Sequence, residues 1–237
     1  MSLLDFKVLS FDVYGTLIDW ETGVINGVQP LTSQCAKPLR RQDLLAIVHE
    51  LESRQQANTP NLPYRDLLAA IYPQIAEKIG AAIPSQSECD LFGASVGKWP
   101  AFPDTVEALK RLSQFYKLVV LSNTDRKSFA ATNAGSLQGV PFDLVITAED
   151  VGTYKPDLNN FRHMLKEVNE KFNIDKAGIL QTAQSQFHDH HPAEKMGIKS
   201  CWIVRPGGTM GNRNREVYDW KFDTLGDLAD AVTKQNA

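Results

Sequence analysis

Four side chains suited to covalent hydrolysis stand at or just beyond the ends of short apolar runs in this sequence. They are Asp12, Ser122, Lys155 and Asp189. A carboxylate can attack a substrate and form an ester that water then hydrolyses, which divides one difficult reaction into two easier ones. A hydroxyl and an amine beside it could supply a hydrogen-bond donor and a fixed cation. The four groups are therefore a candidate active site, provided that the fold brings them together.

The surrounding pattern predicts strands that alternate with helices. Short, largely continuous apolar runs are typical of strands buried on both faces of a parallel sheet. They occur at residues 8–11, 117–121, 144–147, 178–183 and 200–204. Apolar residues at helical spacing predict helices at 104–115, 157–172 and 224–234. This alternation predicts a doubly wound, Rossmann-like α/β core with a parallel sheet. Because ligands bind beyond the carboxyl ends of such strands, the four groups are expected to lie at one edge of the sheet.

Residues 19–99 interrupt the alternation, because they contain helical patterns and no convincing strand. One such pattern is Tyr64–Ile79, in which Pro73 is expected to kink or split the helix. A capping box that begins at Ser85 predicts the start of a further helix. We therefore predict an all-helical cap domain inserted into an α/β core domain, lying above the candidate site. The predicted bounds are 1–18 plus 100–237 for the core and 19–99 for the cap.

The composition narrows the classes of partner. The chain of 237 residues has 25 lysines and arginines against 28 acidic residues, a formal net charge of -3, so it offers no electrostatic footprint for nucleic acid. No apolar run is long enough for a membrane span, and the first residues do not resemble a signal peptide. Three widely spaced cysteines form no metal or disulfide pattern. We expect a cytoplasmic protein that acts on a small molecule, and its oligomeric state, a homodimer included, stays open.

Four motifs in order make the sequence similar to the haloacid dehalogenase superfamily. Residues 11–17 (FDVYGTL) resemble its first motif, 121–123 (LSN) its second and 154–157 (YKPD) its third. His188-Asp189 looks like a variant of the fourth. The resemblance covers nearly the whole chain and implies an α/β core with a helical cap inserted after the first motif.

Tyr14 distinguishes between branches of that superfamily. Phosphatase members have a second aspartate two residues after the nucleophile, where it protonates the leaving group and helps to build a magnesium site. This sequence has Tyr14 at that position and so resembles the type II, or L-, 2-haloacid dehalogenases. The resemblance implies removal of halide from short 2-haloalkanoic acids, without a metal or any other cofactor.

The resemblance also implies roles for the matching residues. Asp12 would attack C2 of the substrate, halide would leave with inversion, and water would then attack the ester. Lys155 would keep Asp12 ionised and stabilise charge that develops on the ester. Asp189 would orient Lys155 and help to position the hydrolytic water, and Ser122 would donate a hydrogen bond to the nucleophile or the substrate carboxylate. Substrate-binding residues are expected at Tyr14, Thr16, Trp20, Arg41, Asn123, Ser185 and Gln186, with Arg40 and Arg54 as alternatives to Arg41 for the cap arginine that accepts halide.

Three alternatives stay open at this point. The same nucleophile could serve a phosphatase or another small-metabolite hydrolase, which would require magnesium, or the chain could be a catalytically idle binding protein. The histidines at 188, 190 and 191 invite a metal site, although such tight spacing on one loop rarely lets several side chains converge. The glycine-rich segment 207–212 lacks the lysine of a phosphate-binding loop and is expected to be a flexible connection.

Overall fold

The computed structural model describes residues 1–236 and contains a six-stranded sheet in which all the paired strands are parallel. The strands are β1 (Val8–Phe11), β2 (Lys117–Ser122), β3 (Leu144–Thr147), β4 (Ile179–Ala183), β5 (Lys199–Ile203) and β6 (Trp220–Phe222). Their order across the sheet is β3-β2-β1-β4-β5-β6, so β1 lies in the interior between β2 and β4. The predicted doubly wound α/β core is confirmed.

Ten α-helices accompany the sheet in the described part of the chain. They are α1 (Trp20–Thr32), α2 (Arg41–Asn58), α3 (Tyr64–Ile79), α4 (Gln86–Ser95), α5 (Thr105–Leu112), α6 (Arg126–Ala134), α7 (Ala148–Val151), α8 (Leu158–Phe172), α9 (His191–Met196) and α10 (Leu225–Asn236). Alternate strand residues face opposite sides of the sheet. Val8 and Val119 belong to one buried cluster with Phe161 of α8. Leu9 and Leu118 belong to another, which includes residues of α5 and α10. Both faces are therefore covered.

Every secondary-structure element between Trp20 and Lys98 is helical, as the sequence pattern predicts. The capping box at Ser85 is also confirmed, because the Ser85 backbone N–H donates to Glu88 Oε2 at 2.7 Å and the Ser85 hydroxyl accepts from the Glu88 backbone N–H. Of the two expected effects of Pro73, the split is wrong, since α3 continues through it, and the kink stays a prediction. Burial of the apolar face of α3, which includes Leu67 and Ile71, outweighs the one backbone hydrogen bond that proline removes. The bounds of the two domains stay a prediction.

Four elements were not predicted. The apolar pattern of α1 is interrupted by two glycines and by Pro30, and α6 has few apolar residues. Both α7 and β6 are too short to give a periodic signal, and β6 forms an edge of the sheet. Among residues 1–236 no helix has both the length and the apolar character needed to cross a membrane.

Gly93 allows the close approach of α4 to α3, and its substitution tests that packing. A Cβ atom at Gly93 would overlap the backbone carbonyl oxygen of Arg65, which cannot move without shifting α3. We expect Gly93→Ala to lower the free energy of unfolding by about 1–3 kcal/mol, as overpacking does. Urea unfolding followed by circular dichroism measures this. Gly226→Ala in α10 is the matched control, because a Cβ there meets only ordinary van der Waals contacts, with Asp104 and Thr224. It should be neutral or stabilising by up to about 1 kcal/mol, and equal losses in both variants would refute the argument.

Candidate active site

The candidate residues lie beyond the carboxyl ends of neighbouring strands. Asp12 directly follows β1, whose last residue is in register with Val120 of β2 and Thr182 of β4. Ser122 is the last residue of β2. Asp189 lies in a π-helical turn, Gln186–His190, that follows β4. The strand order thus places Asp12 between Ser122 and Asp189, where the order of strands reverses and α/β sheets bind their ligands.

A tight turn after β1 fixes the orientation of the Asp12 carboxylate. The carbonyl of Val13 accepts hydrogen bonds from three successive backbone N–H groups, those of residues 16, 17 and 18. Gly15 has a φ of +99°, a conformation that favours glycine. The turn brings the Thr16 hydroxyl 2.6 Å from Asp12 Oδ2, to which it donates. Thr16 in turn accepts from the backbone N–H of Gln184 at 2.9 Å. The first motif is therefore tied to the loop after β4.

Lys155 is a buried ammonium whose three donors all have acceptors. Its Nζ donates to Asp12 Oδ1 at 3.0 Å, to Asp189 Oδ1 at 2.7 Å and to the carbonyl of Leu121 at 2.8 Å. Burial alone would lower the pKa of Lys155, but the charges of Asp12 and Asp189 outweigh burial and raise it. Asn123 holds the lysine backbone through two hydrogen bonds, to its N–H and its carbonyl. Lys155 is therefore charged at neutral pH and stands in a fixed position.

Asp189 lies behind Lys155. Its side chain is fully buried, and Oδ1 accepts from both Lys155 and Gln181, the latter at 3.0 Å. Burial raises the pKa of Asp189, and repulsion from Asp12 adds to this, while Lys155 acts in the opposite direction. Asp189 thus balances the lysine charge from the side away from the cap.

The helical cap covers a small, partly open cavity above these groups, with a volume of about 30 Å³. Space for only a few water-sized groups restricts the occupant to a small molecule. The core contributes Asp12, Tyr14, Ser122, Asn123, Lys155, Ser185, His188 and Met210, and the cap contributes Trp20, His49, Glu52, Ser53, Gln56 and Tyr64. The Ser122 hydroxyl is buried and has no hydrogen-bond partner. It is therefore available to a ligand.

Tyr14 lies on the wall of this cavity as a neutral hydroxyl. Its OH is 2.9 Å from Thr132 Oγ1, and its ring packs edge-on against Trp99 at a centroid distance of 5.8 Å. Burial raises the pKa of Tyr14 to about 12, so the phenol keeps its proton at neutral pH. The position two residues after Asp12 therefore carries no negative charge.

Comparison with known proteins agrees with this geometry. The sequence model of the haloacid dehalogenase-like hydrolases matches residues 6–176. The chain belongs to this family. It is 26% identical to an (S)-2-haloacid dehalogenase of Pseudomonas sp. (strain YL) over 231 residues, which cover 92% of this chain and 91% of that protein. The structure of L-2-haloacid dehalogenase from Xanthobacter autotrophicus superposes with a TM-score of 0.78 at 19% identity, covering 97% and 99% of the two chains. A structure of the same enzyme with chloropropionic acid covalently bound gives 0.76 at 18% identity, covering 96% and 98%.

In this haloacid dehalogenase-like hydrolase, most of the residues that the sequence predicts for the site lie together around Asp12. Trp20 lines the cavity, and its Nε1 donates to the Tyr64 hydroxyl at 3.0 Å. Ser185 lines it too, with its Oγ 3.0 Å from His188 Nδ1. Gln186 lies outside the lining, is buried, and accepts from the backbone N–H of Val217.

The expectation that Arg41 contacts the substrate needs correction. Its guanidinium pairs with Glu21 of α1 at 3.2 Å, and it lines a neighbouring pocket instead of the Asp12 cavity. The alternatives do not replace it, because Arg40 pairs with Asp43 on the surface and Arg54 donates to Gln74. Glu21 is only slightly exposed, so it attracts the first cation that α2 presents to it.

His49 and Glu52 are cavity residues that the sequence reasoning missed. Both lie on α2 and project from the cap over Asp12. The signal was present: Leu45 and Val48 lie on the apolar face of α2, and residues 49 and 52 follow each of them by four positions, on the same side of the helix. A charged residue on an otherwise buried face is a candidate binding group.

Two further expectations are decided by the geometry. The three neighbouring histidines do not converge, since His188 contacts Ser185, His190 contacts the carbonyl of Ala183 and His191 contacts the carbonyl of Arg215. No group of three metal-binding side chains occurs within residues 1–236. The segment 207–212 is no simple connection: Thr209 donates twice to Glu21, at 2.6 and 2.7 Å, and Met210 lines the cavity.

Substitution of Lys155 tests the buried ion cluster. Lys155→Met leaves Asp12 and Asp189 buried without their shared cation, so both resist ionisation. A carboxyl group with a higher pKa in the folded than in the unfolded protein loses stability as the pH rises. We therefore expect a loss of about 3–5 kcal/mol in the free energy of unfolding at pH 8, and a smaller loss at pH 5. Urea unfolding at both pH values measures it.

Lys117→Met is the matched control, because it removes an exposed ion pair with Asp143. We expect it to change stability by less than about 1 kcal/mol at either pH. A loss in Lys155→Met that is the same at pH 5 and pH 8 would contradict a role for the two carboxylates.

Proposed function

We propose that this protein is a 2-haloacid dehalogenase that uses Asp12 as its nucleophile. The observation that supports this most is the position of the Asp12 carboxylate in a small cavity between the core and the helical cap. Thr16 holds one of its oxygens and Lys155 the other. A carboxylate held in this way by two hydrogen bonds is oriented for attack on a substrate.

In the proposed first step an oxygen of Asp12 attacks C2 of the substrate. A bond forms between that oxygen and C2, and the carbon–halogen bond breaks, its electron pair leaving with the halide. No proton is needed for halide departure. The neutral, hydrogen-bonded Tyr14 is consistent with this step, because it offers an apolar wall and no acid at the position where phosphatases have one. The product of the step is an ester of Asp12.

In the second step water attacks the carbonyl carbon of that ester. The bond from this carbon to the substrate oxygen breaks, which releases a 2-hydroxy acid and one proton and restores the Asp12 carboxylate. Lys155 lies 3.0 Å from Asp12 Oδ1, where it would stabilise negative charge on the tetrahedral intermediate. Asp189 holds Lys155 in place from behind. The unpartnered Ser122 hydroxyl is available to the substrate carboxylate.

Relatives support the proposal at the level of chemistry. The Pseudomonas protein is named an (S)-2-haloacid dehalogenase, and the Xanthobacter enzyme has been captured with chloropropionic acid covalently bound. We extend to this chain the reaction type, a covalent displacement at C2. The preferred halogen and enantiomer depend on the contacts within the cavity of this chain.

Halide release tests the proposal. Wild-type protein is incubated with L- and D-2-chloropropionate and with haloacetates in the presence of a chelator, and free halide is measured. We expect release that resists the chelator and that falls at least about 10³-fold in Asp12→Asn, because the nucleophile is lost. Repeated turnover in ¹⁸O-labelled water should place ¹⁸O in the peptide that contains Asp12, since water attacks the carbonyl carbon of the ester.

Two controls define the negative outcome. Asp90→Asn changes an exposed aspartate of α4 that does not line the cavity, and it should retain full activity. Hydrolysis of p-nitrophenyl phosphate with magnesium is measured in parallel. Phosphate release that depends on Asp12 and magnesium, without halide release, would replace our proposal with a phosphatase. Halide release without ¹⁸O in the Asp12 peptide would refute the ester.

A further inference from the structure

Glu52 is the acidic side chain that the cap places in the Asp12 cavity. It belongs to α2, only 8% of its surface is exposed, and it lines the same cavity as Asp12. Tyr64 of α3 lines the same cavity, and its hydroxyl accepts from Trp20 Nε1 at 3.0 Å. Gln56 Nε2 is 3.4 Å from Glu52 Oε1. The carboxyl group is therefore fixed, with contacts that leave part of it facing the cavity.

The cavity has no free positive charge to offer an anion. Lys155 is the only lysine or arginine among the residues that line it, and its three donors are used by Asp12, Asp189 and a backbone carbonyl. Burial lowers the pKa of His188 to about 3 and also lowers that of His49, so both imidazoles are neutral at neutral pH. An ionised Glu52 would add a second negative charge to that of Asp12. A substrate carboxylate would then be repelled.

Burial favours the neutral form of Glu52. It raises the pKa of Glu52 to about 7, and the hydrogen bond from Tyr64 offsets this only in part. A protonated carboxyl group is an O–H donor, and an O–H···O⁻ hydrogen bond to a carboxylate is among the stronger kinds. The ionisable groups around Glu52 are His49 on its own helix, Tyr64 on α3, Asp12 and Tyr14 after β1, Tyr154 and Lys155 before α8, and His188 after β4.

We propose that Glu52 recognises the carboxyl group of the substrate: it binds in its protonated form and donates an O–H···O hydrogen bond to the substrate carboxylate. This inference rests on the proposed 2-haloacid substrate, and it assigns to Glu52 the contact with the acid group that no arginine makes in this cavity. Because the bound anion stabilises the proton on Glu52, binding above neutral pH must take up a proton from solvent. Glu52 is thus a specificity-determining residue that couples binding to pH.

Binding of the expected product measures this without any turnover. D-Lactate, the product of inversion from an L-2-haloacid, and its neutral amide, D-lactamide, are titrated into the full-length protein by calorimetry at pH 5.5 and pH 8, in two buffers with different ionisation enthalpies. For lactate at pH 8 we expect uptake of about one proton per ligand and an affinity that falls about tenfold for each pH unit above about 7. Lactamide should bind with no proton uptake, because it carries no charge.

Glu52→Gln keeps an N–H donor of similar size and cannot ionise. We expect it to bind lactate without proton uptake and with an affinity that is constant from pH 5.5 to pH 8. Glu50→Gln is the matched control, since Glu50 is on the same helix but pairs with Lys78 at the surface; it should behave as wild type. No lactate binding to the wild type, or equal proton uptake in wild type and Glu52→Gln, would overturn the proposal.

This experiment separates the two proposals. Proton-coupled lactate binding that depends on Glu52, in a protein that releases no halide, would leave the carboxylate contact standing and refute the dehalogenase reaction. Halide release whose pH profile is unchanged in Glu52→Gln, together with lactate binding that takes up no proton, would support the dehalogenase reaction and refute the contact between Glu52 and the substrate carboxylate.

Discussion

The ammonium of Lys155 is the interaction on which the arrangement of this molecule depends. A charge buried to this degree is tolerated only when it is fully paired and hydrogen-bonded, and here the partners come from three distant parts of the chain: Asp12, the carbonyl of Leu121 and Asp189. Those parts meet only if β1 lies between β2 and β4. The cluster therefore links the sheet order to the proposed chemistry, since the same contacts that neutralise Lys155 also hold Asp12, the proposed nucleophile.

This coupling explains why so much of the core could be predicted from the sequence. Motif residues stand at fixed offsets from buried strands, and parallel strands bring their carboxyl ends to one edge. Asp12, Ser122, Lys155 and Asp189 are therefore placed together by topology alone. The short elements β6 and α7 escaped prediction because so few residues carry no periodic signal. Proline inside α3 misled the prediction because local propensity is weaker than the burial of that helix's apolar face.

The cap side of the cavity was far less predictable from the sequence than the core side. Cap side chains reach the site from helices whose relative placement no strand order fixes, so Arg41 was assigned to the substrate and is found paired with Glu21. His49 and Glu52 were passed over because polar residues in an amphipathic helix are ordinarily solvated. Their spacing from Leu45 and Val48 places them on the buried side, and this is the observation that could have identified them. Burial, and not residue type, distinguished Glu52 from its exposed neighbour Glu50.

The core side and the cap side of the cavity therefore have different parts in the proposed reaction. In the proposed reaction the core side of the cavity determines which bond is broken, because Thr16 and Lys155 hold the carboxylate of Asp12, the proposed nucleophile, in place. The cap side of the cavity determines which molecule is bound. The charge of that molecule must suit a cavity that already contains one carboxylate. Because the charge of Lys155 is balanced by its own partners, a second anion meets no free cation in the cavity. It can bind only if a proton is taken up with it or if a hydrogen-bond donor takes the place of the cation. In the proposed mode of binding, Glu52 meets both conditions. In its protonated form it adds no negative charge to the cavity, and its O–H group donates a hydrogen bond to the substrate carboxylate. In this proposal a residue of α2 therefore determines which substrate charge the cavity accepts, whereas residues at the edge of the sheet carry out the reaction.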